Sequence, residues 1–316
     1  MSSPGNTVSD SSAPHPPLPL IGYAFGAAGA ILFASKGIII KLAYAEGIDP
    51  ETLLALRMGF SLPFYLAIGA LALLRLRGKG EALPRGKVVL QSALVGVLGY
   101  WLASYFDFSG LQYISASFAR LILFTYPVYV ALFGALLFAQ PVRPRAMLAF
   151  AVSYGGLALI FLQNIATLGP DVAKGALLVT LAAVSFALYQ LCANVLLRQV
   201  GSALFTCIAM ISASAMALGQ FAVMRPLPAL MVSPHGLMLA VLVAIGATVL
   251  PTFLMNAALK RISAQANSMI STVSPVATMV LAVLFLGESV SVPEMAGAAL
   301  VIAGIGWFTL RGARQR

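Results

Sequence analysis

Acidic side chains are scarce in this sequence: Asp and Glu number nine in 316 residues, against nineteen Lys and Arg. Only Asp107 falls well inside an apolar run, so a pair of buried carboxylates working as acid and base is excluded. Histidine is scarcer still. His15 and His235 both lie outside the apolar runs and no HExxH occurs, which removes a Ser/His hydrolase and a metal hydrolase built on that motif. Cys192 and Cys207 stand singly inside apolar runs, without the CxxC spacing of a zinc site or the numbers of a disulfide framework. There is no GxxxxGKS or GxxxxGKT to cradle the phosphates of ATP. No cofactor and no metal is expected, and an intramembrane enzyme is disfavoured.

Charge of either sign is also thin, at 9% of residues where a soluble domain carries about a quarter. Hydrophobic residues make up 60% and the mean hydropathy is +0.97, more apolar surface than a water-soluble fold can cover. The formal charge of +10 does not gather on one polar face, so nucleic acid is not the expected partner. Residues 1–19 hold Ser and Pro, Asp10 and no Lys or Arg; without a basic n-region they do not resemble a cleaved signal peptide and are read as a disordered cytoplasmic tail.

What the chain has in quantity is long apolar runs. Ten are drawn, at 20–44, 51–74, 88–107, 114–139, 144–163, 173–197, 202–224, 237–258, 263–287 and 293–311. Each approaches the roughly 20 residues that a helix needs to cross about 30 Å of hydrocarbon. Barrel strands would be short and alternating, and these runs are neither, so the fold expected is an all-α membrane protein with ten transmembrane helices. The basic residues of the connections then fall on alternate sides. Arg75, Arg77, Lys79, Arg85, Lys87, Arg143, Arg145, Arg198, Lys260, Arg261, Arg311, Arg314 and Arg316 share one side, and Lys174 and Arg225 the other. By the positive-inside rule both termini are expected in the cytoplasm, with residues 312–316 a short second tail.

The chain also repeats. Leu111-Gln112-Tyr113-Ile114-Ser115-Ala116 returns as Leu259-Lys260-Arg261-Ile262-Ser263-Ala264, and Pro127 returns as Pro275, all at an offset of 148. Gly22 and Gly175 match near the start of each half with a slightly different offset. Residues 20–163 and 173–311 each hold five spans, an odd number, so the second unit enters the membrane upside down relative to the first. Inverted repeats of this kind build two pseudo-symmetric states around one site.

Candidate site residues follow from what lipid tolerates. Pro127 and Pro275 sit near the middle of the fourth and ninth spans, where each removes a helical hydrogen bond and breaks or kinks the helix. Lys36, Lys41, Arg57, Asp107 and Arg120 lie in or at the edge of the first four spans, where an unpaired charge costs at least a few kcal/mol and belongs in the bundle interior. Lys41 is expected to snorkel towards Glu46 and the surface. Asp107 is expected to pair with Arg120 or Arg57, or less readily to carry a coupled proton. Lys36, Arg57 and Arg120 are the candidates for an anionic substrate group. Tyr126, Tyr189, Gln190, Asn194, Asn267, Ser271 and Ser274 are candidates to complete the pocket, interhelical hydrogen bonding being the alternative for each.

The runs Ser35-Lys36 to Lys41-Leu42-Ala43-Tyr44, Gly47-Ile48-Asp49-Pro50-Glu51 to Arg57-Met58, Tyr105-Phe106-Asp107-Phe108-Ser109-Gly110 and Arg120 to Tyr126-Pro127 resemble the EamA family of the drug/metabolite transporter superfamily. The resemblance covers nearly all of residues 20–311. It implies two inverted five-helix repeats around a central cavity, alternating access, and export of amino acids or other metabolites. Many members carry an acid just before the position of Arg120, where this chain has Phe118 and Ala119. The function expected is a secondary transporter in the inner membrane for a small polar metabolite, an amino acid or related carboxylate first. The alternative is an efflux pump for lipophilic cations, which the positive excess in the spans disfavours. The partners expected are the metabolite and membrane lipid, and a homodimer stays open.

Overall fold

The computed structural model describes residues 20–138, 144–259, 261, 262, 270 and 273–313. Those residues are nearly all helical. The helices are α1 (Leu20–Ala45), α2 (Pro50–Gly78), α3 (Gly86–Gly96), α4 (Ala103–Leu111), α5 (Ala116–Phe124), α6 (Tyr126–Phe138) and α7 (Pro144–Leu168). They continue with α8 (Asp171–Val200), α9 (Ser202–Met224), α10 (Pro234–Val241), α11 (Leu250–Leu259), α12 (Val273–Leu286) and α13 (Val292–Ala313). Among the described residues seven stretches are long and apolar enough to cross a membrane, and shorter apolar stretches at Phe150–Gln163, Val273–Leu286 and Val292–Gly304 fall where the fifth, ninth and tenth spans are expected.

Helix ends follow local chemistry. Asp49 caps α2 by accepting from the Thr52 backbone N–H at 2.9 Å, and Pro50 opens the helix where its missing N–H does no harm. Ser291 and Glu294 make a reciprocal capping box at the start of α13. The fourth span breaks for one residue at Thr125, between α5 and α6. Pro127 supplies no N–H to the turn before it, and the Thr125 hydroxyl donates to the Ile122 carbonyl at 2.6 Å. Pro275 is buried two residues into α12; the residues just ahead of it lie outside the described ones.

Packing joins the halves rather than separating them. Helix α1 lies against α11 and α12, and α8 lies against α4, α5 and α6; α2 packs on α9, and α7 on α13. Exchanging the first half for the second turns α1–α11 into α8–α4 and α1–α12 into α8–α6, and turns α2–α9 and α7–α13 into themselves. Two details obey the same exchange. A Cβ on Gly22 would meet Ile262 at 2.7 Å, and one on Gly175 would meet Ile114 at 2.7 Å, so each helix start requires glycine against isoleucines that are 148 positions apart. Wide π-helical turns occur at Val97–Leu102, between α3 and α4, and at Leu242–Val249, between α10 and α11. Each frees carbonyls from the regular ladder. The Ser185 hydroxyl donates to Leu98 O in the first and the Ser61 hydroxyl to Ala244 O in the second.

The outside of the bundle is apolar, with Leu136 69%, Leu162 63% and Leu284 70% exposed, which suits hydrocarbon and not water. The two ends differ in charge. Glu46, Asp49, Glu51, Asp171, Glu288 and Glu294 occupy connections and first helical turns at one end, here called the acidic end. There Glu46 meets Ser233 and His235, Arg225 meets Asp49 and Glu51, and Lys174 meets Tyr113. Each of those contacts ties the first half to the second. At the opposite, basic end the ion pair among the described residues is Lys79 with Glu81, within one connection.

Candidate functional site

Two cations of the first half, Lys36 and Arg57, converge on the ring of Phe108, which is fully buried in α4. Lys36 Nζ lies 5.8 Å from the ring centroid and the Arg57 guanidinium 5.5 Å, so two cations from α1 and α2 address one aromatic side chain. One turn of α4 carries Ser104, Asp107 and Phe108 towards the same interior.

Asp107 pairs with Lys36, not with an arginine as expected: Nζ donates to Oδ2 at 2.7 Å, with the two side chains 15% and 6% exposed. The correction has a packing cause. The Tyr44 hydroxyl donates to Phe108 O at 2.8 Å and pins α1 to α4, which brings Lys36 to Asp107 first. Lys41 also departs from expectation. Glu46 is taken by Ser233 at 2.8 Å and by His235 at 2.9 Å, and the acid in electrostatic reach of the half-buried Lys41 is Glu288. The hydrogen bonds from His235 and Ser233 hold the Glu46 carboxyl below its ordinary pKa.

Both guanidiniums are held by neutral oxygens. Arg57 is 5% exposed; its Nε donates to Thr248 Oγ1 at 2.9 Å and its Nη1 to Ser104 Oγ at 2.8 Å. Thr248 belongs to the second π turn and itself donates to Val243 O at 2.9 Å, so this irregular stretch serves as the arginine's socket. Arg120 donates from Nε to Thr278 Oγ1 at 3.3 Å and from Nη2 to Phe33 O. Thr278, fully buried in α12, donates in turn to the α1 carbonyl of Ala34 at 3.0 Å. Among the described residues neither arginine forms an ion pair, and Arg57 Nη2 and Arg120 Nη1 have no hydrogen-bond partner. The positive charges of Arg57 and Arg120 both reach Lys36, which makes the three cations and one carboxylate a single electrostatic cluster.

The aromatic candidates form a second wall. Tyr189, buried in α8, meets Tyr100 edge-on with ring centroids 5.1 Å apart and hydroxyls 3.1 Å apart. Tyr126 meets Phe186 edge-on, and Phe186 stacks on Tyr189. The wall adjoins the cationic cluster, since Tyr100 lies in electrostatic reach of Arg57. Gln190 is half-buried, Asn194 is exposed, and Ser274 contributes its carbonyl to Thr278 at 3.1 Å. Asn267 and Ser271 lie outside the described residues.

Sequence reading missed the residues that hold the arginines. Ser104 stands three positions before Asp107 and Thr278 three after Pro275, a helical spacing that marks a shared face. Thr248 likewise stands three before Pro251 and four before Thr252. A separate cavity of about 320 Å3 opens at the acidic end between α5, α7, α12 and α13, and Glu288 at its edge accepts from Ala116 N at 2.7 Å and Ser117 Oγ at 2.8 Å, capping α5. Among the described residues no three His, Cys, Asp or Glu side chains gather to hold a metal.

Apolar crossing helices, halves that interchange, and charge held in the interior or at the two ends define a multi-pass helical membrane protein, and its class is that of a transporter. Residues 20–162 and 173–310 each match the EamA-like transporter family, and the chain belongs to that family. It is 28% identical over 312 residues to the uncharacterized transporter YcbK of Bacillus subtilis (strain 168), across 93% of this chain and 95% of that one. It is 27% identical over 221 residues to the uncharacterized transporter YcxC of the same organism, across 64% of this chain and 68% of that one. A protein of known crystal structure superposes with a TM-score of 0.62 over 93% of this chain and 97% of its own, at 21% identity, a likeness of fold.

Proposed function

We propose that the chain is a secondary active transporter of a small polar metabolite, an amino acid or related carboxylate, working as an exporter or exchanger by alternating access. The observation that carries this reading is that the buried Arg57 guanidinium and the half-buried Arg120 guanidinium are held, among the described residues, only by hydroxyl and carbonyl oxygens. A charge taken out of water without a counter-charge costs several kcal/mol, and a fold retains it where an anion arrives to meet it. Arg57, Arg120 and Lys36 would bind the anionic group. Tyr126, Tyr189, Gln190, Asn194, Ser274, Asn267 and Ser271 would contact the remainder. Asp107 would tune Lys36. The helices that carry Pro127 and Pro275 would border the path.

In this reading ten spans form two inverted five-helix repeats that rock about the cluster, in the cytoplasmic membrane, with both termini and the basic end on the cytoplasmic side. Energy comes from a gradient or from exchange, since the sequence has no phosphate-binding loop. A pump for lipophilic cations needs a buried acid as counter-charge, and Asp107 is already taken by Lys36.

The test is a thermal-shift screen of the purified protein against metabolite classes. A ligand that binds only the folded state raises the midpoint by mass action. Anions or zwitterions are expected to stabilise wild type, and Arg57→Ala or Arg120→Ala is expected to abolish the shift while the protein stays folded. Stabilisation by lipophilic cations alone would overturn the proposal.

A further inference from the structure

The charge of the interior can be counted, because the acids are so few. Of nine in the sequence, Asp10 lies outside the described residues. Glu46 is at Ser233 and His235, Asp49 and Glu51 at Arg225, and Glu81 at Lys79. Asp171 opens α8 near Lys174, Glu288 caps α5, and Glu294 caps α13. Asp107 alone reaches the cluster, and the undescribed stretches at 139–143, 260, 263–269, 271–272 and 314–316 contain no Asp or Glu. Lys36, Arg57 and Arg120 against Asp107 leave a net charge of +2 in the interior beside the buried Phe108.

We infer that the substrate is a dianion, a small dicarboxylate or a phosphomonoester, and that the two guanidiniums divide its charge between them while Asp107 stays on Lys36. This rests on the transporter reading and narrows it. A zwitterion brings no net charge and would leave the excess untouched; a monocarboxylate would leave half of it. A dianion neutralises the cluster, and the unused donors, Arg57 Nη2 and Arg120 Nη1, belong to two different helices, as two separated anionic groups or the several oxygens of one phosphate require. Arg57 is 5% exposed, so its spare N–H groups are largely withdrawn from water, where a charge-assisted hydrogen bond to an anion is strong.

The experiment measures the half-saturating concentration for thermal stabilisation of the full chain in detergent, at constant ionic strength. The probes are succinate, glycerol 3-phosphate, propionate and alanine. Succinate or glycerol 3-phosphate is expected to act at a concentration roughly tenfold or more below propionate, the size of one added charge contact worth about 1.4 kcal/mol, with alanine weaker still. The stronger of the two divalent probes identifies the headgroup chemistry. Arg57→Gln and Arg120→Gln, compared separately in case one folds poorly, are each expected to erase the preference for the divalent probe, because the cluster then carries +1. Equal action of propionate and succinate on wild type would overturn the dianion and leave the anion transporter standing. Stabilisation by alanine in preference to both would also overturn it. Silence of all four probes would overturn both proposals.

Discussion

Lys36 Nζ lies 2.7 Å from Asp107 Oδ2, in a contact between α1 and α4 that is almost closed to solvent. Removing either partner strands the other charge, an effect of about 3–5 kcal/mol for buried pairs. Lys36→Met and Asp107→Leu are each expected to lower the unfolding midpoint substantially, and the double variant to lower it less than the two losses combined. Chemical unfolding of the four proteins in one detergent checks the coupling. Additive losses would show that the pair does not act as a unit.

Arg57 depends on a hydroxyl that the π turn presents. Thr248→Val removes the acceptor at 2.9 Å while keeping the side-chain shape, and leaves a buried Nε–H unpaired. A loss of about 1–3 kcal/mol is expected, with Thr248→Ser close to wild type. Arg57→Lys is not expected to rescue, because an ammonium cannot span Thr248 and Ser104 as the planar guanidinium does.

The exchange of halves makes equal and separate demands at Gly22 and Gly175. Gly22→Leu and Gly175→Leu each push a side chain into an isoleucine that stands in the same register of the opposite unit. Overpacking of about 1–3 kcal/mol is expected at both sites and of similar size. Thermal midpoints of the two variants, measured side by side, check it; tolerance at one site and collapse at the other would break the equivalence.

The acidic end has a pH signature. Glu46 is held below its usual pKa by His235 and Ser233, so its contribution to stability is present above the ordinary Glu value of about 4.3 and is lost as pH falls through the lowered one. Glu46→Gln is therefore expected to melt below wild type at pH 7 and together with it once Glu46 is protonated in both states. A gap that widens on acidification would contradict the assignment.

Where the apolar helices fall was legible in the sequence for a physical reason: lipid allows little besides helices of about 20 residues. Register between the halves was legible as well, since Ile114 and Ile262 press on Gly175 and Gly22. The pairing inside was not. Lys36 and Asp107 are 71 positions apart and Arg57 and Thr248 are 191 apart, so which cation meets which oxygen is decided by how α1, α2 and α4 dock against the second π turn. Nothing in the plain apolar run Leu242–Val249 announces a π helix, and the socket for Arg57 was invisible for that reason.

Counterflow in proteoliposomes tests the central claim most directly. Vesicles loaded with unlabelled succinate or glycerol 3-phosphate are given a trace of the same compound in radiolabelled form outside. Wild type is expected to accumulate label transiently above the external level, while Arg57→Gln and Arg120→Gln, folded by thermal midpoint, accumulate none above empty vesicles. Accumulation that survives both substitutions would contradict the account, because the anion would then cross without the two arginines.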